Sequence, residues 1–281
     1  MIRIRACEGS DELDACVQLQ IETWGYEETD IIPRKTFLLA QKIGGQVIGA
    51  FHSEPPLGQP SDQPPRQPSD QPSGQPSDPA ESLVGFAMSL PGIKTGPAGP
   101  RPYLHSHMLA VREAFRNRGL GAQLKREQRR EALARGIRHM EWTFDPLEIK
   151  NAFLNIHRLG AIVRAYRPDF YGVSSSRLQG GLPTDRLLAE WELDSPRVQA
   201  ILDGRTADPE VIEERILVPA AIYQWKANQA DRGRALGLQL EHRRKFQQAF
   251  NQGLAVLGFS RDAEGNGVFE LGLLSQADQV F

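Results

Sequence analysis

The stretch "YLHSHMLAVREAFRNRGLGAQLKREQRREALARG", Tyr103 to Gly136, constrains this chain more than any other. A run of apolar and β-branched residues ends at Val111, a turn rich in Arg and Gly follows, and an Ala/Leu-bearing charged run then leads to a closing glycine. That order predicts a strand, a glycine turn and a helix that starts at the turn and stops near Gly136. A strand delivering the chain into such a turn suits a layered α/β fold.

The turn also carries chemistry. The first amides of a helix have no acceptor inside it, and the macrodipole adds partial positive charge at that end. Glycines let an anion approach these amides, so the turn is a candidate phosphate cradle. Gly119 and Gly121 do not complete a dinucleotide fingerprint, because position 124 is Leu, and no G-K-[ST] of a P-loop follows. The pattern that fits is R-x-x-G-x-G, formed by Arg116, Gly119 and Gly121.

The rest of the chain is consistent with a mixed sheet. "SDELDACVQLQIETWG" reads as a helix opened by Ser10, and "TFLLAQKIGGQVIGAFH" as a hairpin turning at Gly44-Gly45. "SLVGFAMSLPG" continues as a strand, "IRHMEWTF" as another, "PLEIKNAFLNIHRLG" as a helix and "AIVRAYRPDFYG" as a strand. Residues 53–81, where QPSD recurs at 59, 67 and 75 in units that carry no apolar residue to bury, read as a low-complexity proline-rich loop insert. From about Val173 the pattern changes to strands, a long amphipathic helix and a hairpin, "LAVLGFSRDAEGNGVFELGLL". The expected organisation is residues 1–172 as an α/β domain and 173–281 as a smaller α+β extension, either a separate unit or a continuation of the sheet.

Composition narrows the function classes. Lys and Arg number 33 against 35 Asp and Glu, so no global field gathers polyanions. Nine basic residues against three acidic ones lie between Arg112 and Arg138, but Phe115 is the sole aromatic among them, which argues against single-stranded nucleic acid. Lys125, Arg126, Arg129 and Arg130 read as a solvated helix face. Cys7 and Cys16 are too few for a disulfide framework or a zinc cluster, and the N-terminus has no apolar signal core. A cytoplasmic protein with no metal, no nucleic-acid partner and no membrane association is expected, with oligomeric state left open.

Taken together, "HSHMLAV", the R-x-x-G-x-G turn, "MEWTF" and "NAFLNIHRLGA" resemble the GNAT N-acyltransferase superfamily in order and spacing, and "HSHML", "WTFDPL", "NAFLN", "LGA" and "FYG" resemble a bacterial subgroup with a C-terminal extension. The resemblance covers roughly Ile2 to Gly172. It implies a GNAT-like mixed central sheet flanked by helices, with acetyl-CoA or another acyl-CoA as co-substrate. It further implies that Arg116, Asn117, Arg118, Gly119, Leu120, Gly121 and Ala122 hold the pyrophosphate, and that Met108, Leu109, Ala110 and Val111 run beside the pantetheine arm, with Asn151 as a polar contact. The implied reaction is direct attack of a small-molecule amine or amino acid on the thioester in a ternary complex. The runner-up is a GNAT-like protein that binds acyl-CoA or a protein without turnover.

For the base, His107 is the first choice and His105, two residues away on the same strand face, an acceptor contact. The family's proton-donating tyrosine falls at Ile156 here, which leaves Tyr166, Tyr171, His157 or water to protonate the thiolate. Asp145 is a candidate for the acceptor ammonium, with a turn-starting role as its competitor. Arg186 is a candidate for an acceptor carboxylate.

Overall fold

A computed structural model describes residues 1–53, 81–96, 99–205 and 211–274. The repeated QPSD segment and most of the proline-rich insert lie outside the described residues.

The chain begins with β1 (Ile2–Ala6), α1 (Gly9–Trp24), α2 (Arg34–Lys42), β2 (Gln46–Ser53), β3 (Glu81–Gly96) and β4 (Gly99–Val111). It continues with α3 (Leu120–Ala134), β5 (His139–Phe144), α4 (Ile149–Ala152, prolonged by a π-helical turn over Phe153–Arg158), β6 (Ile162–Arg167) and β7 (Arg186–Glu192). The last part holds α5 (Pro196–Leu202), β8 (Glu214–Val218), α6 (Ile222–Ala227), α7 (Arg232–Asn251), β9 (Leu254–Arg261) and β10 (Gly267–Leu273). All ten strands form one mixed sheet in the order β1-β2-β3-β4-β5-β7-β6-β9-β10-β8. A mixed sheet flanked by helices is therefore what the chain builds.

One segment departs from expectation. "TFLLAQK" is helical, not the first arm of a hairpin: Phe37 and Ala40, one helical turn apart, are its buried residues, while Leu38 and Leu39 face solvent. The glycine pair joins this helix to β2. Gly44 has φ 93°, and a β-carbon on Gly45 would lie 2.2 Å from the Ser89 carbonyl oxygen. Gly44 thus supplies a left-handed turn and Gly45 close packing against β3, and the sequence signal they share with a hairpin turn is coincidental. At α1 the helix starts at Gly9, one residue before the expected Ser10 cap, and Glu12 accepts a 2.7 Å bond from the Glu8 amide.

The sheet does not stop at residue 172. β7 lies between β5 and β6, antiparallel to both, with Trp142 opposite Ala189 and Tyr166 opposite Leu187. β9 then pairs with β6 at Val163 and Val256, and β10 and β8 continue the sheet beyond it. One apolar core runs through Leu104, Met140, Trp191, Phe246 and Phe269. Of the two alternatives for the C-terminal part, the continued sheet is the one observed. A second core lies under α1 and α2 (Leu13, Cys16, Phe37, Phe86, Met108), and a third under α3 (Ile48, Val84, Leu120, Leu124). Among the described residues no helix is long and apolar enough to cross a membrane, and no group of three or more His, Cys, Asp or Glu could hold a metal.

Candidate active site

The site arises where the sheet opens. β4 pairs with β3 along its length, but its parallel pairing with β5 is confined to Leu104 with Met140 and His105 with Glu141. A bulge precedes the gap: Met108 is opposite Met88 and Ser106 opposite Ser89, which leaves His107 as the extra residue. The bulge sends Ser106 toward α3, where it meets Gln128 and Lys125, while Met108 joins the core under α1 and α2. From Ser106 onward β4 has an open edge. Hydrogen bonding alternates along an antiparallel pair, and Arg112 N donates to Val84 O at 2.8 Å; the backbone groups of Ala110 and Met108 therefore face β3, and those of Leu109 face the opening.

A cavity of about 380 Å³ occupies this opening. Ser106 to Leu109 form one wall, Trp142 to Asp145 the other, and Asn151 and Asn155 line it from α4. Trp24, Tyr26 and Asp30 close it from the α1 side, and Tyr171 and Gln179 from the segment before β7, with Arg186 at the start of that strand.

The glycine turn stands at the head of α3. Asn117 and Gly119 are left-handed, with φ 61° and 77°. The first bond of the helix runs from Gln123 N to Gly119 O at 3.1 Å, so the amides of Leu120, Gly121 and Ala122 have no acceptor in the helix. A β-carbon on Gly121 would sit 3.6 Å from both Leu109 and Leu154, in contact with each, so Gly121 lies between β4 and the turn that follows α4. Arg116 is turned back: its Nε donates to Val111 O at 2.9 Å and ties the turn to the end of β4. The Arg118 guanidinium lies 5.7 Å from the centre of the Phe115 ring.

The two histidines have different surroundings. His107 lines the cavity, and burial, aided by the neighbouring His105, holds its pKa below the usual imidazole value. It is therefore neutral at pH 7 and able to accept a proton. His105, its ring centre 6.3 Å away, lies outside the cavity lining, with Nδ1 3.8 Å from Glu141 Oε1. Lys94 and His139 also reach that carboxylate. Burial opposes the charge of Glu141, but the bonds from His105, His139 and Lys94 outweigh it and hold the group well below the carboxylate range. His105, expected as an acceptor contact, stands in this cluster outside the cavity lining.

The tyrosines also separate. Tyr166 is buried, stacks on Phe246 and donates its hydroxyl to Asp185 Oδ2 at 2.6 Å. Burial, then the Asp185 carboxylate, pushes its pKa far up, and it does not line the cavity. The expectation that Tyr166 protonates a leaving thiolate is corrected; it is a core residue bonded to a carboxylate. Tyr171 lines the cavity, with its hydroxyl 2.8 Å from Thr143 Oγ1. Ile156, where the family's tyrosine is absent, is buried in the main core.

Asp145 reaches the cavity, but its carboxylate is taken. Oδ1 accepts from Leu147 N at 2.8 Å, the turn-starting bond, and Oδ2 accepts from Lys226 Nζ at 2.9 Å. Lys226, on α6, also donates to Glu148 Oε1 at 2.9 Å. Burial works against this ammonium, yet the two carboxylates together raise its pKa. The ammonium site sought at Asp145 is thus filled by the chain's own lysine. Arg186 lines the cavity beside Tyr171: both terminal nitrogens reach Gln179 Oε1 at 3.2 Å, and no carboxylate pairs with it among the described residues.

Sequence reasoning missed Lys125 and Lys226. Lys125 belongs to a buried stripe of α3 with Gln128 and Ala132, so the basic run is not a solvated face. Arg126 donates to Leu202 O at 2.9 Å and Arg129 to Leu193 O at 2.6 Å, which leaves Arg130, paired with Glu127, as the solvated member. The three- and four-residue spacing of Lys125, Gln128 and Ala132 was the signal.

By fold and site this is a mixed-sheet α/β protein with its cleft opened at the one parallel strand pair among the described residues and a glycine-headed helix beside it. Residues 62–154 match the model of the acetyltransferase (GNAT) family. No curated protein matches the chain. Similar solved structures include the ribosomal-protein-S18-alanine N-acetyltransferase from Escherichia coli (14% identity over 69% of this chain and 94% of that one, TM-score 0.44). Others are a GNAT family acetyltransferase from Elizabethkingia anophelis with acetyl-CoA bound (14%, 68% and 97%, TM-score 0.41) and Arabidopsis thaliana NAA60 in complex with a bisubstrate analogue (15%, 68% and 98%, TM-score 0.46).

Proposed function

We propose that this protein transfers an acyl group, acetyl in the first instance, from an acyl-CoA to the amino group of a small molecule that carries a carboxylate. The observation that carries this reading is the open edge of β4 leading directly to the free amides at the head of α3, within the segment that matches the acetyltransferase family.

In this reading the amides of Leu120, Gly121 and Ala122 bind the pyrophosphate, with the exposed Asn117–Gly119 turn around it, and the helix dipole favours its charge. Met108 to Val111 and the side chains of Asn151 and Asn155 line the path of the pantetheine arm. The Leu109 amide faces the opening, where it stabilises negative charge on the thioester oxygen as the amine attacks. His107 takes the proton from the attacking amine, and Tyr171 returns one to the departing thiolate. Arg186 binds the acceptor carboxylate, and the stacked Trp24 and Tyr26 rings, 5.5 Å apart, cover its apolar part.

The test is to incubate the protein with acetyl-CoA and a panel of amino acids and simple amines, and to follow thiol release alongside calorimetric coenzyme binding. Turnover with carboxylate-bearing amines is expected. Binding without turnover on any amine favours the non-catalytic alternative, and failure to bind coenzyme, or binding unaffected by Gly121→Trp, removes the reading.

A further inference from the structure

Lys125 is the least ordinary side chain in the molecule. It is 1% exposed, lies in the first turns of α3 and lines the cavity, yet among the described residues no carboxylate pairs with it. Its Nζ donates to Ser106 Oγ at 2.7 Å and lies 3.6 Å from the centre of the Trp142 ring. Burial drives its pKa well below that of a free lysine, toward the neutral amine. Ser106 cannot consume the lone pair of that amine. Its hydroxyl proton goes to Gln128 Oε1 at 3.0 Å, so toward Lys125 it acts as acceptor alone.

We propose that Lys125 is an internal acyl acceptor, so that the protein acylates itself at Nζ from the donor thioester bound beside β4. The placement carries the inference: Ser106 and Trp142 stand on the two strands that part to form the cleft, and Lys125 bridges them at the closed end of the opening. The step balances without a further reagent. In its neutral form Nζ attacks the thioester carbonyl carbon, an N–C bond forms, the C–S bond breaks, and the proton lost by nitrogen leaves with the sulfur as thiol. The product is an amide, far less reactive than the thioester, so it does not pass the acyl group on. It is a modification that occupies the closed end of the cleft. The inference rests on the acyl-CoA reading above.

The experiment is peptide mapping of the full chain after incubation with acetyl-CoA and no acceptor, with coenzyme A binding measured in parallel. Acetylation of Lys125 blocks tryptic cleavage after it and is read as a missed cleavage in the peptide that begins at Gly119. The expected result is one acetyl group on Lys125, appearing before any on the exposed Lys35, Lys42 or Lys150, and absent when the chain is unfolded in urea. Coenzyme binding with Lys125 unmodified, or modification spread over the exposed lysines at equal rates, overturns the proposal while leaving the acyl-CoA reading in place. Absence of coenzyme binding overturns both. Lys125→Met is expected to abolish the modified peptide, and Lys125→Gln, which imitates the amide, is expected to bind acetyl-CoA at least tenfold more weakly; the mapping on the unaltered chain decides the matter if either variant fails to fold.

Discussion

Replacing Lys226 by Met tests whether the C-terminal part of the chain sets the electrostatics of the cleft. The Lys226 side chain is 6% exposed and bridges Asp145 and Glu148, which are 9% and 20% exposed, through two contacts of 2.9 Å. Met has similar length but leaves both carboxylates without their cation. Removing one partner of a buried ion pair costs about 3–5 kcal/mol, because the remaining charge stays desolvated. At about 2–4 °C per kcal/mol for a large domain, the melting temperature falls by on the order of 10 °C. The loss depends on pH. Burial already pushes the Glu148 pKa up, with Lys226 working against that shift, so removing Lys226 raises it further. A carboxyl whose folded pKa is raised adds stability below its unfolded value of about 4.3 and loses it as pH rises through the folded value. The deficit of Lys226→Met is therefore largest at pH 8 and shrinks toward pH 5. Urea unfolding followed by tryptophan fluorescence at the two pH values measures it. A deficit under about 1 kcal/mol, or one equal at pH 5 and pH 8, would refute the reasoning.

Three other substitutions separate the roles of neighbouring residues. Tyr166→Phe is expected to leave kcat unchanged and to cost about 1.5 kcal/mol, the low end for a bond to a charged group, because Asp185 keeps Arg243 and the Asp169 amide; a large fall in kcat would contradict its placement in the core. His107→Ala is expected to lower kcat/KM by about 10²–10⁴ and to remove the acid limb of the pH profile, which in the unaltered protein lies below the ordinary histidine value of about 6.5, since activity rises as the imidazole loses its proton. An acid limb that survives the substitution assigns the base elsewhere. Arg186→Ala is expected to raise KM about tenfold or more for acceptors with a carboxylate and to leave decarboxylated amines unaffected, as steady-state kinetics on matched pairs would show.

Local chemistry was legible in the sequence where it depends on neighbours along the chain. The Arg116, Gly119 and Gly121 pattern marks the turn and the start of α3, and Asn151 of "NAFLN" lines the cavity together with Asn155. What failed depends on partners far away in sequence. "TFLLAQK" carries an aromatic and aliphatic run that also suits a strand, and in the fold it is a helix whose Phe37 and Ala40, one turn apart, join the core under α1 and α2. Asp145 looked available for a ligand because its partner, Lys226, stands on a helix 81 residues later. Tyr166 and Tyr171 are similar by residue type and spacing from the glycine motif. The pairing of β6 with β7, which turns Tyr166 toward Phe246, separates them. Lys125 was misjudged because a lysine in a basic run is ordinarily solvated, and its depth is set by Trp142 and Ser106.

The position of β7 has a consequence for how the chain is made. β6 leaves the ribosome before β7, yet among the described residues its sheet neighbours are β7 and β9, both later in sequence. The completed β5 edge must wait for residues 186–192, and β6 has no strand to join until they arrive. At about 5–20 residues per second the interval is on the order of seconds, during which two strand edges are unpaired and open to wrong partners. Trimming the gene just after residue 172 would make that transient state permanent.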